Sequence, residues 1–382
     1  MQMWEDKFYE AVSVCREEIL SARSAGFGGT SYPGERALKI CPDILRYFSK
    51  ELCRTVMVCG TNGKTTTCRI LSELLNKKGI RHIANREGAN MLPGIVTAFV
   101  KNADACGHLT ADMALLECDE MFCAQVAGIL KPVCIVFTNL SEDQLYRFDT
   151  AKAAAQLIKA AGANPETVIC INKSDANLMR LASKLVNPIR YYEAGPDGMI
   201  LDGERITAGQ SDKRPVYLQD VAAACMAAKV LGIYDGNSLQ LALSAKLPYG
   251  RMETFMLGKS KVTFELLKNP ANYHGIIADL KKENPYSDLI LASADERELV
   301  WMEKEDFSLL RELYDSIFVF GSGNDAIYLK TVLKAQAVEY KKILELCREK
   351  SGNIFLLSEY YAMLQLRRRF AADGYLHPMW QD

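Results

Sequence analysis

Short apolar runs alternate with amphipathic stretches through the middle of the chain. The runs at 55–58, 113–116, 133–137 and 167–172 are almost continuously apolar, as strands buried on both faces are. Helical spacing fills 68–78, 95–101, 121–130 and 151–163 between them, and 81–84 reads as a further short strand. This alternation predicts a parallel sheet with helices on both faces. Ahead of it, 5–25 and 41–52 read as helices joined by a Gly-rich loop over 26–34. The rhythm breaks over 190–216, which is rich in Gly and Asp and reads as small β-turn units, before an Ala-rich helix at 220–231.

A second alternating pattern follows. Strands are expected at 262–267, 289–292, 317–320 and 354–357, with helices at 273–282, 308–314, 325–335, 339–350 and 360–370. The reading is an α/β protein in three parts. A strap covers 1–50, a larger domain 51–249, and a smaller Rossmann-like domain 250–382. No internal repeat or low-complexity segment interrupts them.

Composition narrows the class. The chain has 382 residues, enough for two or three real cores. Formal net charge is −1, so no broad basic field suggests nucleic acid. The start, MQMWEDKFYEAVSV, lacks a basic segment followed by an apolar core, and no apolar run reaches the ~18 residues of a membrane span. A cytoplasmic protein is expected. Its 12 cysteines are scattered without any C-x-x-C, so they read as reduced thiols with no zinc site. The four histidines, at 82, 108, 274 and 377, form no ligand pair on a helix face.

Residues 59–67 read CGTNGKTTT, between the 55–58 strand and the 68–78 helix. Strand, Gly-rich loop, Lys-Thr and helix make a nucleotide phosphate cradle. Backbone N–H groups of Gly60, Thr61, Asn62, Gly63, Lys64, Thr65 and Thr66 would surround the phosphates. Lys64 would reach the β and γ oxygens, and the Thr65 hydroxyl would face Mg²⁺. ATP and Mg²⁺ are the cofactors expected. The metal needs a carboxylate at the carboxyl end of a neighbouring strand, and Glu117 holds that place, followed by Asp119 and Glu120. Asn139 ends the next strand and would either read the adenine edge or support the site. Asp143 would orient the nucleophile or a metal-bound water, or else cap a helix. Asn172 and Asp175, at the end of a further strand, would face the nucleotide. Arg251 opens the C-terminal domain and is a candidate for the γ-phosphate. Lys268 and Asn269 end that domain's first predicted strand. Two domains closing over ATP would exclude water from an easily hydrolysed acyl phosphate.

The loop G-T-N-G-K-T is one residue shorter than the general P-loop. In this it resembles the central domain of the Mur ligases and folylpolyglutamate synthases. The strap GFGGTSYPGERALKICPDIL, then NREGANMLPGIVTAF, ALLECDE, KPVCIVFTNLSEDQLYRF, GRMETF and LLKNPAN are similar, in the same order, to segments of the MurT family. These are Mur-ligase-like subunits of lipid II isoglutaminyl synthase. The resemblance implies ATP-dependent activation of the D-isoglutamate α-carboxyl of the lipid II stem peptide as an acyl phosphate. A GatD-like glutaminase partner, in a heterodimer, would supply the ammonia. The substrate would place the protein at the inner membrane face. On that reading Lys64 and Thr65 hold phosphate and Mg²⁺, Glu117 ligates Mg²⁺, and Asn139 and Asp143 lie beside the nucleotide. Arg251, Lys268 and Asn269 complete the site from the C-terminal domain.

The chain departs from the family's pattern twice. Many members insert a four-cysteine zinc ribbon, but 176–215 contains no Cys. The family's C-terminal motif resembles D-G-R-D-x-S-W-x-W-D-x-D-F, whose acid would complete the partner's Cys-His pair. Here Lys304 stands at that acid's position, flanked by Glu303 and Glu305. A Lys only donates and carries the wrong charge, so it does not orient a His as an acid does. Two further readings follow: a Mur-like ligase joining another amine to a carboxylate without a glutaminase, and a non-catalytic ATP-binding scaffold.

Overall fold

The computed structural model describes residues 2–25, 28–52, 54–85, 89–141, 150–195, 198–207, 215–294 and 299–377. These fall into two compact units, one formed from Met1–Ser141 and Thr150–Lys246, the other from Leu247–Asp382.

The first unit opens with helices α1 (Gln2–Ser24), α2 (Tyr32–Ile40) and α3 (Ile44–Ser49). The second of these takes only the end of the expected loop, Tyr32 to Gly34, and runs on to Ile40, ahead of the helix expected at 41–52. Pro33 near its start cannot donate a backbone bond there and needs none, while Ala37 gives it a buried face. The strap does not stand apart, because Phe8, Val12, Cys15, Leu45 and Phe48 share one apolar core with the sheet behind them.

That sheet contains β1 (Arg54–Cys59), β2 (His82–Ala84), β3 (Met113–Cys118), β4 (Cys134–Phe137), β5 (Val168–Asn172), β6 (Ile189–Gly195), β7 (Gly198–Leu201) and β8 (Glu204–Ile206). The order is β2-β3-β1-β4-β5-β6-β7-β8, parallel as far as β6 and antiparallel over the last two hairpin pairs. The antiparallel edge accounts for the break in rhythm after 190. Its connections are α4 (Lys64–Lys77), α5 (Leu92–Lys101), α6 (Cys123–Leu130), α7 (Thr150–Gly162) and α8 (Ala176–Ala182), followed by α9 (Pro215–Val230) and α10 (Ser238–Ser244). The chain fills one side of β1 with β3 and β2, then crosses to β4. The strand order therefore reverses at β1, and the crevice beyond its carboxyl end is where an open α/β sheet takes ligands.

The second unit has six strands: β9 (Glu253–Leu257), β10 (Ser260–Leu266), β11 (Asp288–Ala292), β12 (Ser316–Phe320), β13 (Gln336–Val338) and β14 (Asn353–Ser358). Their order is β13-β12-β11-β14-β10-β9, with β9 alone antiparallel. Helices α11 (Pro270–Lys282), α12 (Leu299–Met302), α13 (Leu310–Leu313), α14 (Asn324–Leu333), α15 (Tyr340–Glu349) and α16 (Tyr360–Ala372) cover it. Separate apolar clusters fill its two faces, one around Trp301, Phe307 and Phe355, the other around Phe264, Leu356 and Phe370. This is the doubly wound arrangement that the sequence predicts for both halves. Among the described residues, no helix is long and apolar enough to cross a membrane.

Candidate functional site

The phosphate loop runs from the carboxyl end of β1 into α4, and the loops after β4 and β5 brace it. Gly60 has φ 131°, and a Cβ there would lie 2.3 Å from Thr138 Oγ1, so the chain passes only as glycine. Thr138 donates to Asn62 O at 2.6 Å. Both ends of the Asn139 amide are spent on Asn62: Oδ1 accepts its N–H at 2.9 Å, and Nδ2 donates to its carbonyl at 3.0 Å. Asn139 therefore supports the loop, one of the two roles its position suggested. Thr61 N–H donates to Asn139 O, and the Thr61 hydroxyl and the Ser141 backbone exchange two further bonds.

The same bracing explains two other predicted residues. Asn172 donates to Thr138 O at 3.0 Å. Asp175 caps α8 by accepting from Leu178 N–H, while its other oxygen accepts Leu140 N–H at 2.8 Å. Both side chains tie the end of β5 to the loop after β4. They set its shape whatever else they contact.

Lys64 is only 4 % exposed. Its ammonium donates to Gly60 O and Thr61 O and lies 3.5 Å from Glu120. A lysine so enclosed is held against the carbonyls of the loop it serves. Glu120 was visible in sequence only as one of three adjacent acids. Its pairing with Lys64 arises because β1 and β3 are neighbours in register, with Cys59 beside Cys118. Thr66 is buried and Thr65 half-buried on the first turn of α4.

Glu117, at the end of β3, is 4 % exposed. Asn85 clamps its backbone, accepting the Glu117 N–H at 2.9 Å and donating to its carbonyl at 2.7 Å. Asn90 makes a long contact of 3.4 Å to Oε1, while Oε2 is buried and has no hydrogen-bond partner among the described residues. A buried carboxyl oxygen with no donor among the described residues carries a desolvation cost that a cation would remove. Burial first, and then this carboxylate, push the Cys68 thiol well above its ordinary pKa. No cluster of three or more His, Cys, Asp or Glu able to hold a metal is found among the described residues. Mg²⁺ asks for less, since it takes one or two carboxylates and completes its shell with water and phosphate. The hard oxygen of Glu117 and the Thr65 hydroxyl fit that need. Asp119 instead shapes its loop by accepting Met121 N–H at 2.9 Å.

One contact has no signal in the sequence. Asp220 on α9 packs against the phosphate loop so closely that a Cβ on Gly63 would lie 2.2 Å from its Oδ1. Nothing in an Ala-rich helix more than 150 residues downstream indicates this. Asp143 lies outside the described residues. In the second unit, Arg251 is half-buried between β9 and the preceding turn. Lys268 N–H donates to Asn272 Oδ1, and Asn269, fully buried, caps α11 by accepting Asn272 N–H at 2.9 Å.

Comparison with known proteins bears on the family and the fold. Residues 58–214 match the Mur ligase middle domain. A Staphylococcus aureus protein named lipid II isoglutaminyl synthase (glutamine-hydrolyzing) subunit MurT is 32% identical over 173 residues, 45% of this chain and 39% of the relative. The chain thus aligns with about two fifths of that relative's length. The Streptococcus pneumoniae protein of the same name is 24% identical over 93% of this chain and 96% of its own. Among solved structures, MurF ligase from Thermotoga maritima in complex with ADP superposes with a TM-score of 0.66 at 15% identity, over 88% of this chain and 84% of that one. That likeness establishes the fold.

Proposed function

We propose that this chain, built around a Mur ligase middle domain, is an ATP-dependent carbon–nitrogen ligase that amidates the D-isoglutamate carboxyl of the lipid II stem peptide. The enclosed Lys64 of the phosphate loop, with a buried Glu117 oxygen that has no hydrogen-bond partner among the described residues, carries the ATP-dependent part of the reading. The resemblance to the MurT subunits, extending over 93% of the chain for the Streptococcus pneumoniae relative, supports the acceptor.

The chemistry follows from these groups. The acceptor carboxylate attacks the γ-phosphorus of ATP, the bond to the β-phosphate oxygen breaks, and ADP leaves. Lys64 and the loop N–H groups hold the charge that builds on the phosphate oxygens. Mg²⁺, held by Glu117 and Thr65, would neutralise part of it. Ammonia then adds to the acyl carbon, inorganic phosphate leaves with the C–O electron pair, and a proton is lost to give the amide. Arg251, Lys268 and Asn269 are proposed to serve the same transfer from the second unit. A GatD-like glutaminase would be the ammonia source, and the lipid-linked acceptor would bring the protein to the membrane surface.

A second reading drops the glutaminase. Glu305, the acid beside Lys304, is 16% exposed and lies 2.6 Å from Nε2 of His274 in its own chain. So engaged, it is not presented to orient another protein's histidine. The deciding experiment is ATP turnover with lipid II, comparing ammonium chloride with glutamine plus a GatD-like glutaminase, and weighing the product by mass spectrometry. Amide from both nitrogen sources supports the coupled synthase. Amide from ammonium alone supports the second reading. ATP binding with no lipid II product in either case sinks the proposed acceptor.

A further inference from the structure

The turn that carries Arg251 is more tightly specified than a connection between a helix and a strand requires. Gly250 has φ 65° and Met252 φ 48°, so Arg251 sits between two left-handed residues, one of them not glycine. Each flanking N–H is held by a carboxylate. Gly250 N–H donates to Glu253 Oε2 at 3.0 Å, and Met252 N–H to Glu265 Oε2 at 2.6 Å. Gly250 O accepts Leu266 N–H, and Arg251 N–H donates to Pro248 O.

Glu253 is in turn gripped by Arg367 of α16. The guanidinium donates through Nε to Oε2 at 3.1 Å and through Nη2 to Oε1 at 2.8 Å. It stacks on the Tyr249 ring, 3.8 Å from the centroid, and donates to His377 O. Arg367 is 1% exposed. A buried ion pair of this kind seldom adds more stability than apolar residues of the same volume, and its best-attested use is to fix one geometry. Strain and fixed geometry converge on Arg251, whose guanidinium makes no hydrogen bond or ion pair among the described residues. A lone cation on a rigid turn is what a site for an anionic ligand requires.

We infer that Arg367 is a positioning residue. Through its two-pronged grip on Glu253 and its stacking on Tyr249, it fixes the 249–253 turn so that Arg251 is pre-aimed at a phosphoryl group. The inference rests on the proposed reading of Arg251 as a γ-phosphate contact.

The test uses the full chain with Arg251→Ala, Arg367→Lys, Glu253→Gln and the double variant Arg251→Ala/Arg367→Lys. Affinities for Mg-ATP and Mg-ADP are measured by calorimetry, with amide exchange at Gly250 and Met252 and a melting curve for each. The expected result is that Arg251→Ala cuts the preference for ATP over ADP about tenfold, the scale of one charged contact. Arg367→Lys, with one point charge in place of a fork, should cut it comparably and speed exchange at both amides. The double variant should be no worse than either single. Loss of preference in Arg251→Ala with Arg367→Lys unchanged, or effects that multiply in the double variant, overturns the positioning role while leaving the ligase reading intact. An unchanged preference in Arg251→Ala overturns the phosphate reading of that residue and the inference with it. Should Arg367→Lys not fold, Glu253→Gln breaks the same grip without removing the buried cation's packing, and the same criteria apply.

Discussion

At the scale of single residues, the groups proposed to touch ligand are distinct from the groups that hold them in place. The loop glycines, Lys64 and Glu117 were legible because each has a local signature: the spacing of G-T-N-G-K-T, or an acid closing an apolar run. Asn139, Asn172 and Asp175 were legible as positions at strand ends, but their bonds to Asn62, Thr138 and Leu140 were not. Side-chain geometry of this kind depends on which strands are neighbours. The sharpest test falls on Glu117. Its Oε2 is buried without a hydrogen-bond partner among the described residues, so Glu117→Gln replaces the acid while keeping the shape. The variant should melt no lower than the parent, while ATP turnover falls by about 10²–10³-fold, the cost of losing one preorganised electrostatic contact. Turnover equal to the parent's would remove Glu117 from the chemistry.

Elements show how local signals and tertiary demands combine. The strands were readable from continuous apolar runs, because strands covered on both faces have no polar side to show. Helix α2 was not readable, since Gly34 and the neighbouring loop residues mask its period. In the fold Gly34 is buried, and its N–H donates to the Thr97 hydroxyl of α5. Strand β9 was also missed. Its alternating residues pair antiparallel with β10 at a sheet edge, where one face need not be apolar. Helix α11 offers a test at this scale. Asn269 accepts Asn272 N–H, and the Asn272 side chain accepts Lys268 N–H, a reciprocal arrangement that closes the helix start. Asn269→Ala should cost about 1 kcal/mol in chemical denaturation, and Asn269→Ser, which restores an acceptor, should recover most of it. Equal stability in all three proteins would show that the cap contributes nothing here.

For the whole molecule, two units with separate cores predict how a ligand changes stability. Mg-ATP at about 100 times its dissociation constant should stabilise the unit that binds it by about 2.7 kcal/mol. Calorimetric scans should therefore show the transition of the nucleotide-binding unit moving upward. Lys64→Met should abolish the shift, since the ammonium enclosed by Gly60, Thr61 and Glu120 is the loop's fixed positive charge. A shift that survives the substitution would place the nucleotide elsewhere. The sequence by itself determined the α/β class, the phosphate loop and the acid that follows it, because apolar periodicity and loop spacing are properties of neighbours along the chain. Only the tertiary structure decided that Glu120 pairs with Lys64, that Asp220 packs on Gly63, and that Arg367 grips the turn bearing Arg251. Those partners lie tens to more than a hundred residues apart, and it is strand order and helix packing that bring them within contact.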